Sequence, residues 1–288
     1  MKKTIFQGVC TALVTPFLNG EINYPMMEQL LKRQLDAGIK AVVITGTTGE
    51  ASTLTDQEKL QMYRRAKNYV GDDCLIIAGT GSNSTLRASD LSYEAQEEGA
   101  DGLLIVSPYY NKATPAGLIS HYLTIAQRVE IPVILYNVPG RTGMDIPLSV
   151  YRHLAQYPNI VGVKEASRDL TKITKICCNC AEFDVWSGND DLIVPAMSVG
   201  AQGVISVLSN VLPVETRAMT EAMLAGDLDT ATSLQQQLQP LIDLLFCEVN
   251  PIPVKAAMQY MGYDCGECRL PLSELSKENR QRLEEFFH

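Results

Sequence analysis

The stretch "IVGVKEAS", Ile160–Ser167, decides how the rest of the chain reads. It opens with an unbroken apolar run, reaches a lysine and a glutamate, and closes in small residues. A short apolar run without polar alternation marks a strand buried on both faces, which in a water-soluble protein means a parallel strand lying under helices. Seven more runs share this form: "GVCTALVTPF", "AVVITGTTGE", "CLIIAGTGSN", "GLLIVSPYYN", "PVILYNVPG", "DVWSGND" and "GVISVLSN".

The segments between these runs carry helix signals. Met27, Leu30, Leu31 and Leu35 form a stripe of period 3.6 that Gly38 ends. Thr55 and Glu58 have capping-box spacing ahead of Leu60, Tyr63 and Ala66. Thr114 followed by Pro115 reads as a cap with proline in the first helical position, and Pro147 opens another helix in the same way. Eight strand–helix units are the number that closes an α/β (β/α)8 TIM barrel. The alternative, an open doubly wound sheet, lacks its G-x-G-x-x-G after the first run. Helical patterns around residues 212–226, 228–248 and 251–262 then predict a C-terminal addition, so that residues 1–211 read as the barrel and 212–288 as a helical extension packed on it.

Composition excludes several classes of function. The 288 residues are 46% hydrophobic, enough for one barrel-sized core. A net charge of −9 argues against nucleic-acid binding and against docking on anionic membranes. The N-terminal "MKKTIFQGVCTALVTPF" has the lysines of a signal peptide, but Gln7, Gly8 and Pro16 break its apolar run and no cleavage site follows. No stretch approaches the ~20 apolar residues of a spanning helix, so a cytoplasmic protein is expected. Among the eight cysteines, Cys265 and Cys268 have half of a zinc spacing, but Cys178 and Cys180 stand one residue too close for the other half. Ordinary thiols in a reducing compartment are expected, with no metal site. The three histidines, His121, His153 and His288, make no ligand cluster in sequence.

In a (β/α)8 barrel the chemistry sits at the C-terminal strand ends. Here those ends carry Thr47 and Thr48 after the second run, Tyr109 and Tyr110 after the fourth, Tyr136 in the fifth and Lys164 in the sixth, with Arg141 just beyond Tyr136. A strand-end lysine on its own packs its stem and extends its ammonium to water. At the end of a doubly buried strand the ammonium is disfavoured, and the free amine is a nucleophile toward carbonyls. An imine on that amine makes a ketone an electron sink, so that the neighbouring carbon can lose a proton and attack an aldehyde. Such chemistry needs a proton shuttle, for which Tyr136 is one strand away, and donors for a substrate carboxylate, which "GTTGE" offers as two hydroxyls and backbone N–H groups.

The set "GTTGE", "SPYYN", "YNVPGRTG", "GVKEAS", "SGND" and "GVISV" resembles the pyruvate-dependent class I aldolase family over essentially the whole chain. The resemblance implies that Lys164 forms an imine with pyruvate, with no dissociable cofactor, and that Thr48 holds the pyruvate carboxylate. It implies a proton relay of Tyr136, Thr47 and Tyr110, the last reaching in from a neighbouring subunit of a homo-oligomer, with a tetramer built from two tight dimers as the family's form. Gly188 and Ile205 are expected to line the pyruvate pocket through their backbones. Arg141, between the glycines of "GRTG", matches the residue that holds the carboxylate of L-aspartate-4-semialdehyde in the branch making the precursor of lysine and diaminopimelate. A guanidinium offers that group a bidentate fork, and the flanking glycines are expected to let the backbone place it in a turn. The sister reading, an aldolase for N-acetylneuraminate or a 2-keto-3-deoxy sugar acid, lacks the need for Arg141. A non-catalytic keto-acid-binding barrel is the reading from another class, and none of the lysine, tyrosine or arginine is missing to favour it. One departure concerns feedback: lysine-inhibited members have a glutamate where this chain has Arg87, and histidines where it has Asp56 and Lys59, near Tyr109 and Asn83. Weak or absent inhibition by lysine is therefore expected.

Overall fold

The computed structural model describes residues 4–287. The eight runs form eight parallel strands: β1 Gly8–Ala12, β2 Ala41–Ile44, β3 Leu75–Gly79, β4 Gly102–Val106, β5 Val133–Asn137, β6 Ile160–Glu165, β7 Asp184–Ser187 and β8 Gly203–Ser206. Each pairs with its sequence neighbour and β8 pairs with β1, so the sheet is a closed barrel, the TIM barrel expected from the sequence. Side chains on each strand divide between two apolar layers, as a period of two requires. Ala41 and Val43 pack inward with Cys10, Ile77 and Ile205, while Val42 and Ile44 pack outward beneath the helices.

The pairing of β5 with β6 departs from this regularity. Val133 faces Ile160, but Ile134 faces Gly162, so β6 carries one extra residue at a bulge. Ile160 and Val163 both join the outer layer, whereas Val161 packs inside. Glycine is required beside the bulge, because a Cβ on Gly162 would stand 2.3 Å from the Asp184 carbonyl oxygen. Past the bulge, Tyr136 pairs with Lys164 and Asn137 with Glu165.

The local helix signals are realised. Thr55 and Glu58 make both bonds of a capping box at the helix Asp56–Val70, and the Thr114 hydroxyl accepts from Gly117 N at 3.2 Å. The helix Tyr24–Asp36 ends before Gly38, whose φ is +79°. Pro213–Leu224 lies against β1. Leu228–Leu245 and Ile252–Tyr260 follow, and then Lys277–Phe287, a helix the sequence did not announce because it buries only Leu283. A small hairpin, Phe17–Leu18 with Glu21–Ile22, also went unread, although Asn19 and Gly20 take the positive φ of a two-residue hairpin turn. Among the described residues, no helix is long and apolar enough to cross a membrane.

One buried group gives the fold a pH dependence. His121 is 3% exposed on the helix Pro115–Ala126; its Nδ1 lies 2.9 Å from the Thr85 hydroxyl and its Nε2 has no partner among the described residues. Burial lowers its pKa from 6.5 to about 4. Between these values the unfolded chain binds a proton that the folded chain refuses, so stability is lost as pH falls below the unfolded value. From pH 7 to pH 5 this amounts to about 2 kcal/mol. Urea unfolding of the wild type and of His121→Gln at both pH values is expected to show the wild type losing about that much more than the variant.

Candidate active site

Lys164 is the penultimate residue of β6, its side chain turned into the barrel mouth and 5% exposed. Its Nζ stands 4.6 Å from the ring centroid of Tyr136, and among the described residues no carboxylate oxygen lies within ion-pair distance. Gly188, just after β7, gives this amine room: a Cβ there would come 3.1 Å from Lys164 Cε and 2.6 Å from the Ala166 Cβ. Ile205 pairs with Cys10 across β8 and β1 and shares the inner layer with Tyr136. Asp190 ties the "SGND" loop to the chain after β8, accepting from Val207 N at 2.9 Å and Leu208 N at 3.0 Å. Burial holds its carboxyl above the usual carboxylate range.

After β2 the "GTTGE" segment folds back in turns, Gly49 N donating to Gly46 O and Glu50 N to Thr47 O. Thr45 has a φ of +57°, and its hydroxyl lies 2.5 Å from Tyr63 OH; both hydroxyls bond Gly79 O. Thr47, Tyr136 and Arg141 line a cleft of about 480 Å³. Thr48 is buried, its Oγ1 accepting from Asn250 Nδ2 at 2.9 Å. Arg141 lies at the exposed rim, donating from a guanidinium nitrogen to Asn250 O at 3.1 Å. The expected turn around it is a single helical turn, Pro139–Thr142, and only its closing glycine is needed for conformation: Gly143 has a φ of +67°, while Gly140 has no positive φ.

Glu50 closes "GTTGE" with a φ of +56° and is 2% exposed. Its carboxylate accepts from Lys255 Nζ at 2.9 Å and from Arg269 N at 2.8 Å, and Lys255 also donates to Glu267 O. Sequence reasoning missed Asn250, Glu50 and Lys255 as parts of the mouth. The only local signals were an Asn-Pro turn dipeptide and a lysine inside an otherwise apolar helical run.

The structure thus brings Lys164, Tyr136, Thr47, Thr48, Arg141, Gly188 and Ile205 to one mouth and leaves Tyr110 outside it. Tyr110 is 91% exposed, with a φ of +75°, while its neighbour Tyr109 lines the cleft. The cleft continues to Lys59 and Arg87. Arg87 grips the Asp56 carboxylate at 2.9 and 3.0 Å and keeps it below the usual carboxylate range, while Lys59, 3.6 Å from Asp56, is pulled down by burial. All eight cysteines are free; burial pushes the Cys265 and Cys268 thiols up to about 12. His121 and His153 lie on separate helices, and His288 falls outside the described residues.

A closed barrel that holds a lysine amine out of water at the end of its sixth strand, against a tyrosine from the fifth, has the build of an aldolase-type lyase. Comparison with known proteins narrows that class. The model of the dihydrodipicolinate synthetase family matches residues 5–288, and the chain belongs to this family. The 4-hydroxy-tetrahydrodipicolinate synthase of Caldicellulosiruptor bescii is 47% identical over 281 residues, covering 97% of this chain and 95% of the relative. The crystal structure of dihydrodipicolinate synthase from Aquifex aeolicus is 43% identical, with a TM-score of 0.96 and coverage of 98% of this chain and 97% of that one. The synthase from Cyanidioschyzon merolae, solved with lysine bound, is 38% identical, with a TM-score of 0.95 and coverage of 98% and 97%.

The buried pair beside the mouth has a measurable consequence. Lys255→Met leaves the Glu50 carboxylate buried without its cation, at an expected cost of about 3–5 kcal/mol in urea unfolding. Adding Glu50→Leu removes the stranded charge, and the double variant is expected to recover much of that loss.

Proposed function

We propose that this chain condenses pyruvate with L-aspartate-4-semialdehyde to 4-hydroxy-tetrahydrodipicolinate, through an imine on Lys164. The observation that carries the reading is the pairing of Lys164 with Tyr136 across adjacent strands at the barrel mouth. In this reading Nζ adds to the keto carbon of pyruvate, and loss of water gives the iminium ion. The adjacent methyl group then gives up a proton, and the resulting enamine attacks the aldehyde carbon, whose oxygen takes a proton to become the hydroxyl. The amino group of the second substrate next displaces Nζ from the imine carbon, closing the ring and freeing the lysine. Tyr136, Thr47 and Tyr110 carry these protons, as a hydroxyl relay does when its members reach one another. Because Tyr110 is exposed and does not line its own cleft, the relay is completed by a second copy, and we assign the assembly as a homo-oligomer, a tetramer of two tight dimers, working in the cytoplasm. Thr48 holds the pyruvate carboxylate, the backbones at Gly188 and Ile205 line its pocket, and Arg141 at the rim holds the carboxylate of the semialdehyde.

The test is consumption of pyruvate with L-aspartate-4-semialdehyde and, in parallel, with N-acetylmannosamine. Turnover with the semialdehyde alone is expected, and turnover with the sugar alone sinks the role given to Arg141. Borohydride is expected to trap pyruvate on the wild type and not on Lys164→Ala, whose activity falls by roughly 10³-fold or more. Arg141→Ala is expected to raise the KM for the semialdehyde by about 10- to 100-fold, the worth of a charge-assisted hydrogen bond, while trapping persists.

We further propose that lysine is a weak inhibitor or none. Asp56 is engaged by Arg87 and Lys59, so the carboxylate that a lysine ammonium would seek is already neutralised, and two cations face the incoming one. Activity at millimolar L-lysine is expected to stay near its uninhibited value; near-complete loss overturns this assignment.

A further inference from the structure

A hydroxyl has one proton to donate and two lone pairs to accept with, so whatever already bonds the Thr48 hydroxyl determines what it can offer a substrate. The Asn250 amide donates to Thr48 Oγ1 at 2.9 Å, and among the described residues this is the hydroxyl's one hydrogen bond. The amide therefore occupies a lone pair and leaves the proton free to point elsewhere. Asn250 is 6% exposed, so water does not compete for this contact. Its backbone oxygen meanwhile accepts from Arg141 at 3.1 Å. One residue thus touches both carboxylate-binding groups through different atoms, the side chain on Thr48 and the main chain on Arg141.

Asn250 is also fixed relative to the "GTTGE" turn. Lys255, five residues further along, is pinned to Glu50, two residues beyond Thr48. The amide and the hydroxyl it bonds are therefore held by one buried ion pair, and the bond between them does not depend on a mobile surface side chain.

We propose that Asn250 is a positioning residue for the reaction: its amide, by filling one lone pair of the Thr48 hydroxyl, fixes that hydroxyl's orientation so that its proton is aimed at the carboxylate of the keto-acid substrate. The inference rests on the assignment of Thr48 to the pyruvate carboxylate given above. It separates the two functions of the residue, since truncating the side chain removes the bond to Thr48 and keeps the carbonyl that holds Arg141.

Steady-state kinetics of Asn250→Ala, Asn250→Asp, Thr48→Val and the Thr48→Val/Asn250→Ala double variant test it, with the thermal midpoint and borohydride trapping at saturating pyruvate showing that each variant is folded and forms the imine. Asn250→Ala is expected to raise the KM for pyruvate by about tenfold, the worth of one hydrogen bond, with kcat and the KM for the semialdehyde within about twofold. Asn250→Asp, nearly isosteric but able only to accept, draws the hydroxyl proton to itself and is expected to raise the pyruvate KM further than alanine does. On the Thr48→Val background, Asn250→Ala is expected to change nothing more, because the hydroxyl it orients is gone. An unchanged pyruvate KM in Asn250→Ala overturns the proposal, as does an equal rise for both substrates or a full additional effect in the double variant. If Thr48→Val itself leaves the pyruvate KM unchanged, the role of Thr48 falls instead, and the proposal falls with it.

Discussion

Lys164 faces the barrel interior because β6 has one residue more than β5 over the same span. A strand alternates its side chains between two faces, so a slip of one residue exchanges inside for outside along everything that follows. Ile160 packs outward; counted by strict alternation from there, Lys164 would also point outward, under the helices. The bulge at Val161 and Gly162 resets the parity, and Lys164 arrives beside Tyr136 instead. Bulges re-aim side chains near active sites, and here the placement of Lys164 beside Tyr136 depends on one. The glycine is what lets it exist, since Asp184 and Trp186 leave no space for a Cβ at position 162.

A second constraint sets the other half of the mouth. The "GTTGE" turn and the segment 250–269 lie some two hundred residues apart in sequence and meet at a buried ion pair. Such a pair contributes little net stability against well-packed apolar residues, but leaving either member alone is costly. Its effect is therefore on register: the C-terminal helices dock where Lys255 meets Glu50, and that position brings Asn250 onto Thr48 and Arg141. The barrel strands supply the buried Lys164 amine, and the C-terminal region sets the positions of Thr48 and Arg141, the groups given to the substrates' carboxylates in the proposed reaction.

What could be read in the sequence followed from the range of the signal. The strands and most helices were legible because their periodicity and caps are written within a dozen residues, as at Thr55–Glu58 and Thr114–Pro115. Lys164, Tyr136 and Thr48 could be placed at strand ends by the same local reading. The bulge could not, because whether "IVGV" holds an extra residue depends on the partner strand. Asn250 and Lys255 were invisible for a similar reason: their roles exist only in contacts with Thr48 and Glu50. The helix Lys277–Phe287 was hidden by its own chemistry, since one buried leucine makes no stripe.

Local charge reconciles the acidic chain with the anionic substrates proposed for it. The net charge of −9 repels a carboxylate at long range, and at physiological salt that repulsion fades within about 8 Å. The cleft carries Lys59, Arg87 and Arg141 on its walls, with Asp56 already engaged by the first two. Within a concave, partly desolvated recess such fixed cations are screened far less than the surface carboxylates. An incoming keto acid therefore meets a field of the opposite sign once it reaches the rim. The same field works against a cationic amino-acid side chain, so in the proposed reaction the entry of a keto acid and the weak hold on lysine would follow from one arrangement of charge.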